Sequence, residues 1–229
     1  MSQEIRNPGA NRLLASLPAE DGAHLALFSR IEYPRRGRIL TSANEPAADL
    51  WFPHGGAVAL TTTDASGRSV QTGIVGDQGC VGLEALFRHG PPLPDAVVQI
   101  ESTMSVISAT HLRTVVDRRP LVHNALFGFI HALAAQSLQT IACNRLHSLI
   151  ERCCRWLLTL RDVAKTDDLP LTQDSLATLL GSGRPRANRL LAELESNGML
   201  RRHRGRIELL TLGGLEQQAC ECYRRLSHR

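Results

Sequence analysis

Short apolar runs separated by turn residues dominate the first half of the chain. Between residues 31 and 107, glycine and proline interrupt runs of apolar or alternating residues. Many short strands at such spacing are typical of an antiparallel sandwich or barrel. Leucine spacing predicts short helices at 11–16 and 19–28 ahead of them. The predicted strands are 39–40, 49–52, 56–63, 69–75 and 96–108.

Helical spacing replaces this pattern from residue 110 onward. Apolar residues recur every three to four positions, which predicts helices at 110–116, 121–146 and 149–163. In helix 121–146 they occupy most of the circumference, so we expect burial on more than one side. One side can pack on the β-rich domain and the other on a second copy of the same helix. The alternative is a core helix within a monomer.

Two short apolar-periodic runs joined by a glycine-containing break occupy residues 171–200. Thr172 is a suitable N-cap for a helix predicted at 173–180. Pro185 falls in the first turn of the second helix, where a missing N–H costs nothing, and Asn197 with Gly198 ends that helix. This is the sequence form of a helix-turn-helix. The alternative is a helical hairpin whose arginines are only a solvated face.

A basic hairpin is predicted directly after the second helix. Residues 199–210 indicate a strand, a tight turn at Arg204 and Gly205, and a second strand, and one further helix is predicted at 215–226. From Gly181 to Leu210 there are seven arginines against three glutamates. Such a hairpin is suited to phosphate contacts beside a DNA groove, as the wing of a DNA-binding module.

These residues resemble those of a known family. The module from Leu171 through R-G-R-I-E-L-L, and the tail A-C-E-C-Y-R-R-L, are similar to the Crp/Fnr family of bacterial transcription regulators. Residues 76–87, G-D-Q-G-C-V-G-L-E-A-L-F, look like the central turn and short helix of its cyclic-nucleotide-binding domain. The resemblance implies an α+β protein with a jelly-roll-like antiparallel β-roll (1–116), a long dimerisation helix (117–147) and a winged helix-turn-helix (148–229).

The resemblance also implies a homodimer on a two-fold-symmetric DNA site, with RNA polymerase and a small-molecule effector as candidate partners. Arg184 and Arg189 are expected to contact bases, with Asn188 as a further candidate. Pro185 stands where many members have a glutamate that accepts from cytosine, so the base preference should differ. The expected phosphate contacts are Thr172, Gln173, Arg186, Arg202 and Arg204. The expected dimerisation residues are Leu126, Ile130, Leu133, Ser137 and Ile141.

The expected effector pocket departs from the cyclic AMP pattern. Its candidate residues are Gly76, Gly82, Glu84 and Asp95. Members that bind cyclic AMP carry a Gly-Glu pair for the ribose and Arg-Ser/Thr-Ala for the cyclic phosphate. Here Leu83 separates the glutamate from its glycine, Asp95 stands where a phosphate needs neutralising, and no arginine lies in 93–102. We therefore expect an effector other than cyclic AMP, or a pocket filled by side chains.

Composition adds bounds on class and location. With 229 residues, 43% hydrophobic and 21% charged, the chain has an ordinary soluble composition and is long enough for one large domain or two ordinary ones. The net charge of +4 is mild, so the clustering of arginine is more informative than its total. The sequence shows neither a leader peptide nor an uninterrupted run of about eighteen apolar residues. A cytoplasmic location is expected.

Candidate chemistry outside DNA binding is sparse in the sequence. No cysteine precedes Cys80, which excludes the N-terminal iron-sulfur cluster of the family's oxygen sensors. Cys153 and Cys154 are adjacent, and Cys220 and Cys222 would diverge by roughly 200° on a helix, so neither pair makes a metal site alone. No P-loop, G-x-S-x-G or H-E-x-x-H motif occurs. We expect no enzyme, metal or cofactor; the alternative function is a scaffold whose C-terminal module binds protein or RNA.

Overall fold

The computed structural model describes residues 11–43, 45–87 and 94–227. Contacts divide the chain into two compact units, residues 1–60 with 74–134 and residues 61–73 with 135–229. Antiparallel sheets lie towards the N-terminus, and a long helix and a helix-turn-helix follow. The predicted α+β class is therefore confirmed.

The bounds of the described elements are as follows. The helices are α1 Arg12–Ala15, α2 Ala19–Leu27, α3 Ala109–Arg118, α4 Pro120–Leu146, α5 Leu149–Ala164, α6 Gln173–Leu180, α7 Arg184–Ser196, α8 Leu212–Gln218 and α9 Cys222–Ser227. The strands are β1 Ser29–Glu32, β2 Ile39–Thr41, β3 Asp49–Pro53, β4 Ala57–Thr63, β5 Ser69–Val75, β6 Asp95–Ile100, β7 Met104–Ser108, β8 Asp168–Leu169, β9 Leu200–His203 and β10 Arg206–Leu209. A 3-10 helix spans Leu83–Leu86.

Two sheets form the β-roll. One has the order β1-β7-β3, with β7 antiparallel to both neighbours, and the other has the order β2-β6-β4-β5. Alternating apolar residues of the strands meet in one core, to which α1, α2, α3 and the first half of α4 add side chains. Burial of this apolar surface is the main stabilising contribution to the unit.

The predicted strand at 96–108 was wrong as a single element, and β1 was missed. Residues 95–100 and 104–108 form separate strands in different sheets, joined by three polar residues, Glu101 to Thr103. Met104 and Val106 keep the even-numbered spacing of Val98 and Ile100, so the alternation is interrupted at Ser102 alone and does not indicate two strands. β1 is short and mostly polar, and its pairing with β7 is what makes it a strand.

Helix α4 has two unlike faces. At heptad spacing, Val122, Phe129 and Cys143 lie on a buried face, together with Leu126. On the opposite side, roughly 160° away at 100° per residue, lies a stripe of exposed residues with 3-4 spacing. We call this the exposed stripe; it consists of Phe127, His131, Ala134, Leu138, Ile141 and Arg145.

Helix α4 is long and apolar, which raises the question of membrane insertion. By length and composition alone, this helix could cross a membrane, and 22% of its most apolar window is buried within the chain. The sequence contains no uninterrupted apolar run, yet the helix as a whole meets the criterion, because glutamine, histidine and threonine interrupt it without charge. Among the described helices this is the only one to do so.

The C-terminal unit is built on α5, which packs against α6, α8 and α9. Its N-cap Ser148 forms a capping box with Glu151, and Lys165 ends it in a left-handed conformation. The predicted wing strands are present, but a third strand, β8, was missed; it pairs antiparallel with β10. Two residues are too short a strand to leave a periodic signal.

The single helix predicted at 215–226 was wrong. The structure has α8 and α9 instead, separated by Ala219, Cys220 and Glu221. Ala219 is extended, with ψ of 147°, so the helical hydrogen bonding stops there. This break changes the directions of Cys220 and Cys222, which are both buried.

Candidate nucleic-acid interface

The first helix of the pair, α6, begins at a reciprocal cap. The Thr172 hydroxyl accepts from the Ser175 backbone N–H at 3.1 Å, and the Ser175 hydroxyl accepts from the Thr172 N–H at 3.0 Å. The sequence predicted Thr172 as N-cap, and this is confirmed. The helix bounds of 173–180 also agree with the prediction.

A left-handed glycine forms the turn between the helices. Gly181 has φ of +59° and ends α6, and the N–H of Ser182 donates to the carbonyl of Ala177 at 3.0 Å. An L side chain at Gly181 would be strained in this conformation. Gly183 then caps α7, and Pro185 occupies its first turn as predicted.

Packing between α6 and α7 determines which residues of α7 face outward. Ala187, Leu190, Leu191 and Leu194 are buried, as the leucine spacing predicted. Arg184, Arg186 and Arg189 are exposed at the N-terminal half of α7. The N-terminal half of the helix therefore presents three guanidinium groups to solvent.

These three arginines differ in their partners. Arg184 forms an ion pair with Asp174 in the first turn of α6. No carboxylate within the described part of the chain pairs with Arg186 or Arg189. Between the helices, the Asn188 amide donates to the Gln173 side-chain oxygen at 3.1 Å, so these two expected DNA contacts already touch each other.

Among the described residues, arginines in the strands of the wing form ion pairs, whereas the arginine at its tip does not. Arg202 forms an ion pair with Glu195 at 2.6 Å and lowers the pKa of that carboxyl, first through its backbone N–H. Arg206 pairs with Asp168 at 2.6 Å. Arg204 lies at the tip, beside Gly205 with φ of +77°, and has no acidic partner in the described ranges. Arg204 is thus the wing guanidinium most available to an external anion.

Existing ion pairs do not prevent Arg184 or Arg202 from contacting DNA. Both pairs lie at the surface, where such interactions contribute only about 0–1 kcal/mol. A phosphate or guanine could replace the carboxylate at little cost. The structure thus separates pre-paired arginines from Arg186, Arg189 and Arg204, a distinction that the sequence could not provide.

The expected effector residues have identifiable local roles. Gly82 has φ of +93° and starts the 3-10 helix that contains Glu84, and a Cβ at Gly82 would collide with the carbonyl of Asp49. The backbone N–H of Gly76 donates to the Gln78 side chain at 3.1 Å. The local roles of these two glycines therefore lie in backbone conformation and backbone hydrogen bonding.

Asp95 is also engaged. Its carboxylate accepts from the N–H of Ala43 at 2.8 Å at the start of β6. In the same unit, Arg113 donates to the carbonyl of Ala85, within the 3-10 helix. Neither interaction supplies a positive charge at Asp95 for a cyclic phosphate.

A second group of side chains in the C-terminal unit was missed by the sequence. Cys143 on α4 meets Cys220 and Cys222 of the tail, and all three are buried. Hydrogen bonding with Cys220, and the positive charge of Arg155, lower the pKa of Cys143. By contrast, burial raises the pKa of Cys80 and of Cys154, the latter to about 12. No spacing rule would join a residue 77 positions away to the tail.

Two family profiles match the chain in sequence. The profile described as "Cyclic nucleotide-binding domain" matches residues 31–119. The profile described as "Crp-like helix-turn-helix domain" matches residues 151–218. Together they cover more than half of the chain, in the order expected for the resembled regulators. The chain belongs to the Crp/Fnr family.

Solved structures of Crp/Fnr regulators share the fold. A transcriptional regulator of the crp/fnr family from Eubacterium rectale matches with a TM-score of 0.74 at 18% identity, covering 92% of this chain and 98% of its own. FixK2 from Bradyrhizobium japonicum matches with a TM-score of 0.69 at 16% identity, covering 84% and 98%. The c-di-GMP responsive global regulator CLP of Xanthomonas campestris matches at 0.70 and 17%, covering 85% and 100%. No curated protein matches the sequence.

Membership in the Crp/Fnr family has direct consequences. The chain is a transcription regulator of the Crp/Fnr type with a helix-turn-helix domain. The family resemblance predicted from the module and from residues 76–87 is confirmed.

Proposed function

We propose that this chain is a homodimeric transcription regulator that binds a two-fold-symmetric DNA site in the bacterial cytoplasm. The observation that supports this most strongly is the surface of α7, where exposed arginines flank a buried leucine face in a Crp-like helix-turn-helix. In that module the second helix enters the major groove with its N-terminal residues at the base edges. We propose the domains 1–116, 117–147 and 148–229.

Base contacts are assigned to Arg184 and Arg189, with Asn188 as a third. Arg189 is exposed and has no acidic partner among the described residues, so binding DNA breaks no interaction within the chain. A guanidinium can donate two hydrogen bonds to guanine, which distinguishes it from the other bases. Arg184 must first leave Asp174, and Asn188 must leave Gln173.

Phosphate contacts are assigned to Thr172, Gln173, Arg186, Arg202 and Arg204. Thr172 and Gln173 lie at the N-terminus of α6, where the helix dipole favours an anion. Arg204 at the wing tip can reach the backbone beside the groove. Contacts of this kind position the protein and contribute most of the salt dependence.

Dimerisation is assigned to the exposed stripe on α4. Leu126 is buried in the chain's own core, and Leu133 packs against that core, so these two expected dimerisation residues have little surface left for a partner. Leu138 and Ile141 are 68% and 65% exposed, and they belong to a stripe with heptad spacing. A second copy packed on this stripe would bury them as the a and d positions of a coiled coil.

An effector other than cyclic AMP is proposed for the β-roll. Asp95 binds a backbone N–H at the start of β6, and a carboxylate there repels a cyclic phosphate. Screening the purified protein against cyclic nucleotides tests this. Tight cyclic AMP binding would contradict it.

The DNA proposal is tested by selecting binding sites from a random duplex library with the full-length protein. We expect a two-fold-symmetric sequence with half-sites about 34 Å apart. Affinity for that sequence should fall steeply with salt. The scaffold alternative, in which the module binds protein or RNA, predicts no enriched duplex.

A charge-matched pair of variants separates recognition from general attraction. Arg189→Ala and Arg118→Ala each remove one exposed arginine, the first from α7 and the second from α3 in the β-roll unit. Only Arg189→Ala should change the selected sequence. Equal effects from both variants would show that the binding depends on net charge alone.

A further inference from the structure

Three cysteines from distant parts of the sequence converge in the C-terminal unit. Cys143 lies in the last turns of α4, Cys220 lies in the break between α8 and α9, and Cys222 begins α9. Their sulfur atoms all lie within 4.8 Å of one another, and Cys143 Sγ is 3.5 Å from Cys220 Sγ. Two sulfurs bound to one tetrahedral Zn²⁺ at 2.3 Å would be about 3.8 Å apart. The thiols are therefore close to metal-binding spacing.

A candidate fourth ligand, His147, lies beside Cys222 at the edge of the three-thiol cluster. His147 is one turn beyond Cys143, and its N–H donates to the Cys143 carbonyl at 3.2 Å. The ring nitrogen of His147, a carboxylate oxygen of Glu221 and Cys222 Sγ lie within 4.8 Å of one another. His147 Nε2 is 3.5 Å from Glu221 Oε1. Helix α4 and the residue after it therefore offer a thiol and an imidazole to two thiols of the tail.

Side chains around the cluster form hydrogen bonds of the kind that orient metal ligands. The Gln139 amide donates to Cys222 Sγ at 3.0 Å, and it lies one turn before Cys143. Hydrogen bonds to ligating atoms orient them and are a general feature of metal sites. Tyr223, next to Cys222, donates to Asp162 at 2.8 Å and holds α9 on α5.

Arg155 supplies an independent reason to expect a negative centre here. Its side chain is fully buried, and none of its three guanidinium nitrogens has a hydrogen-bond partner in the described residues. The group lies over the Trp156 ring, 4.2 Å from its centroid, which satisfies no N–H. A buried charge is costly unless an opposite charge balances it. The thiol cluster is close enough for its charge to act on this guanidinium.

We propose that Cys143, Cys220, Cys222 and His147 bind one Zn²⁺ ion in a closed tetrahedral site. On binding, each thiol releases its proton to solvent, and the neutral imidazole donates its Nε2 lone pair. Three thiolates and Zn²⁺ carry a net charge of −1, which the +1 charge of Arg155 balances. All three thiols are buried, as in sites where zinc has a structural role.

The proposed site departs from the expectation of no metal. Sequence spacing suggested that Cys220 and Cys222 diverge, because a continuous helix was assumed through them. The break at residues 219–221 removes that assumption. The ion would hold the tail against α4 and α5, which makes tail docking depend on the metal. This inference does not depend on DNA binding.

The test is metal content of the full-length protein, purified under reducing conditions and dialysed against a weak chelator. We expect about one Zn²⁺ per chain in the wild type. Co²⁺ substitution should give thiolate charge-transfer absorption and the intense visible bands of tetrahedral Co²⁺. Added Zn²⁺ should also raise the Tm of the metal-free wild-type protein.

Variants identify the ligands. Cys143→Ser and Cys222→Ser should lose the ion and the charge-transfer absorption, whereas Cys80→Ser, a buried cysteine in the other unit, should keep both. The Co²⁺ spectrum of the wild type keeps the test valid if a serine variant fails to fold. Wild-type protein that binds no metal with its thiols free, or that instead forms a Cys143–Cys220 disulfide, would overturn the proposal.

Discussion

Arg189 and Arg204 are both exposed arginines without acidic partners among the described residues, yet they lie on different elements. Arg189 projects from the second helix of the module, and Arg204 lies at the tip of a two-residue turn. The side chain on the helix can reach into a groove, whereas the one on the turn is limited to the sugar-phosphate backbone. This difference predicts that replacing Arg189 changes base preference, whereas replacing Arg204 weakens binding to every sequence.

Arg189→Ala should relax sequence preference at one base position at a cost of about 1–3 kcal/mol. The reason is loss of a bidentate contact, which discriminates between bases. Binding of the protein to the selected site and to single-base variants of it, followed by fluorescence anisotropy, measures this. Equal weakening on every sequence would make Arg189 a phosphate contact.

Arg204→Ala should weaken binding to all sequences alike. Removing one phosphate contact should reduce the slope of log affinity against log salt by about one. The same anisotropy titrations at several salt concentrations supply the slope. A change of base preference would contradict the assignment of Arg204 to the backbone.

His54 provides a pH-dependent contribution to stability. Burial lowers its pKa below 6.5, and its Nε2 lies 2.8 Å from the Ser105 hydroxyl. Below about pH 6.5 the unfolded chain binds a proton that the folded chain does not, so folding is disfavoured as the pH falls. The free energy of unfolding should therefore decrease between about pH 7 and pH 5.5. His54→Gln should reduce this decrease in urea titrations, and identical slopes would contradict the assignment.

At the scale of elements, the cap of α6 is a local determinant of the DNA-binding module. Thr172 satisfies a first-turn N–H that would otherwise lack a partner. Thr172→Ala should lower the free energy of unfolding by about 1 kcal/mol, whereas Thr172→Ser should retain most of it. Denaturant titration without DNA measures stability apart from any phosphate contact. Equal stability of all three proteins would show that the cap is dispensable.

Elements with a strong periodic signal could be predicted from the sequence. The bounds of α6, the cap at Thr172 and the buried leucines of α7 all follow from local rules, and the structure agrees with them. Elements that depend on long-range pairing could not be predicted. β1 and β8 carry no periodic signal, and each is a strand only because β7 or β10 lies beside it.

In the candidate site, too, local features could be predicted from the sequence and long-range contacts could not. Exposure of Arg184, Arg186 and Arg189 could be predicted, since their positions relative to buried leucines are fixed by the helical repeat. The ion pairs of the module could not be predicted, because Asp174 meets Arg184 and Glu195 meets Arg202 through tertiary packing. The cysteine cluster depends on both a helix break and a contact across 77 positions.

At the scale of the whole molecule, α4 is the helix to which dimerisation is assigned. Its apolar residues surround the helix, so periodicity could not distinguish the side facing the chain's own core from the side left exposed. The structure distinguishes them: Leu126 is buried, whereas Leu138 and Ile141 are exposed. The proposed contact therefore shifts from the predicted residues to the exposed stripe, with Ile141 common to both.

Replacing both Leu138 and Ile141 with glutamate should convert a dimer to monomers. Two glutamates per chain would bring four negative charges into an apolar contact, which is strongly unfavourable. Analytical ultracentrifugation measures the association, and DNA affinity should fall with it. Ala132→Glu, exposed on the same helix but off the stripe, is the matched control. A double variant that stays dimeric would place the contact elsewhere.

The proposed contact through the exposed stripe on α4 also has a consequence for control in the cell. If two chains must pair before a site is occupied, then at low abundance the paired form increases with the square of the total amount synthesised. Halving the synthesis rate would cut the paired form about fourfold by mass action. Dilution during growth could then turn a promoter response off without any signal molecule leaving the β-roll.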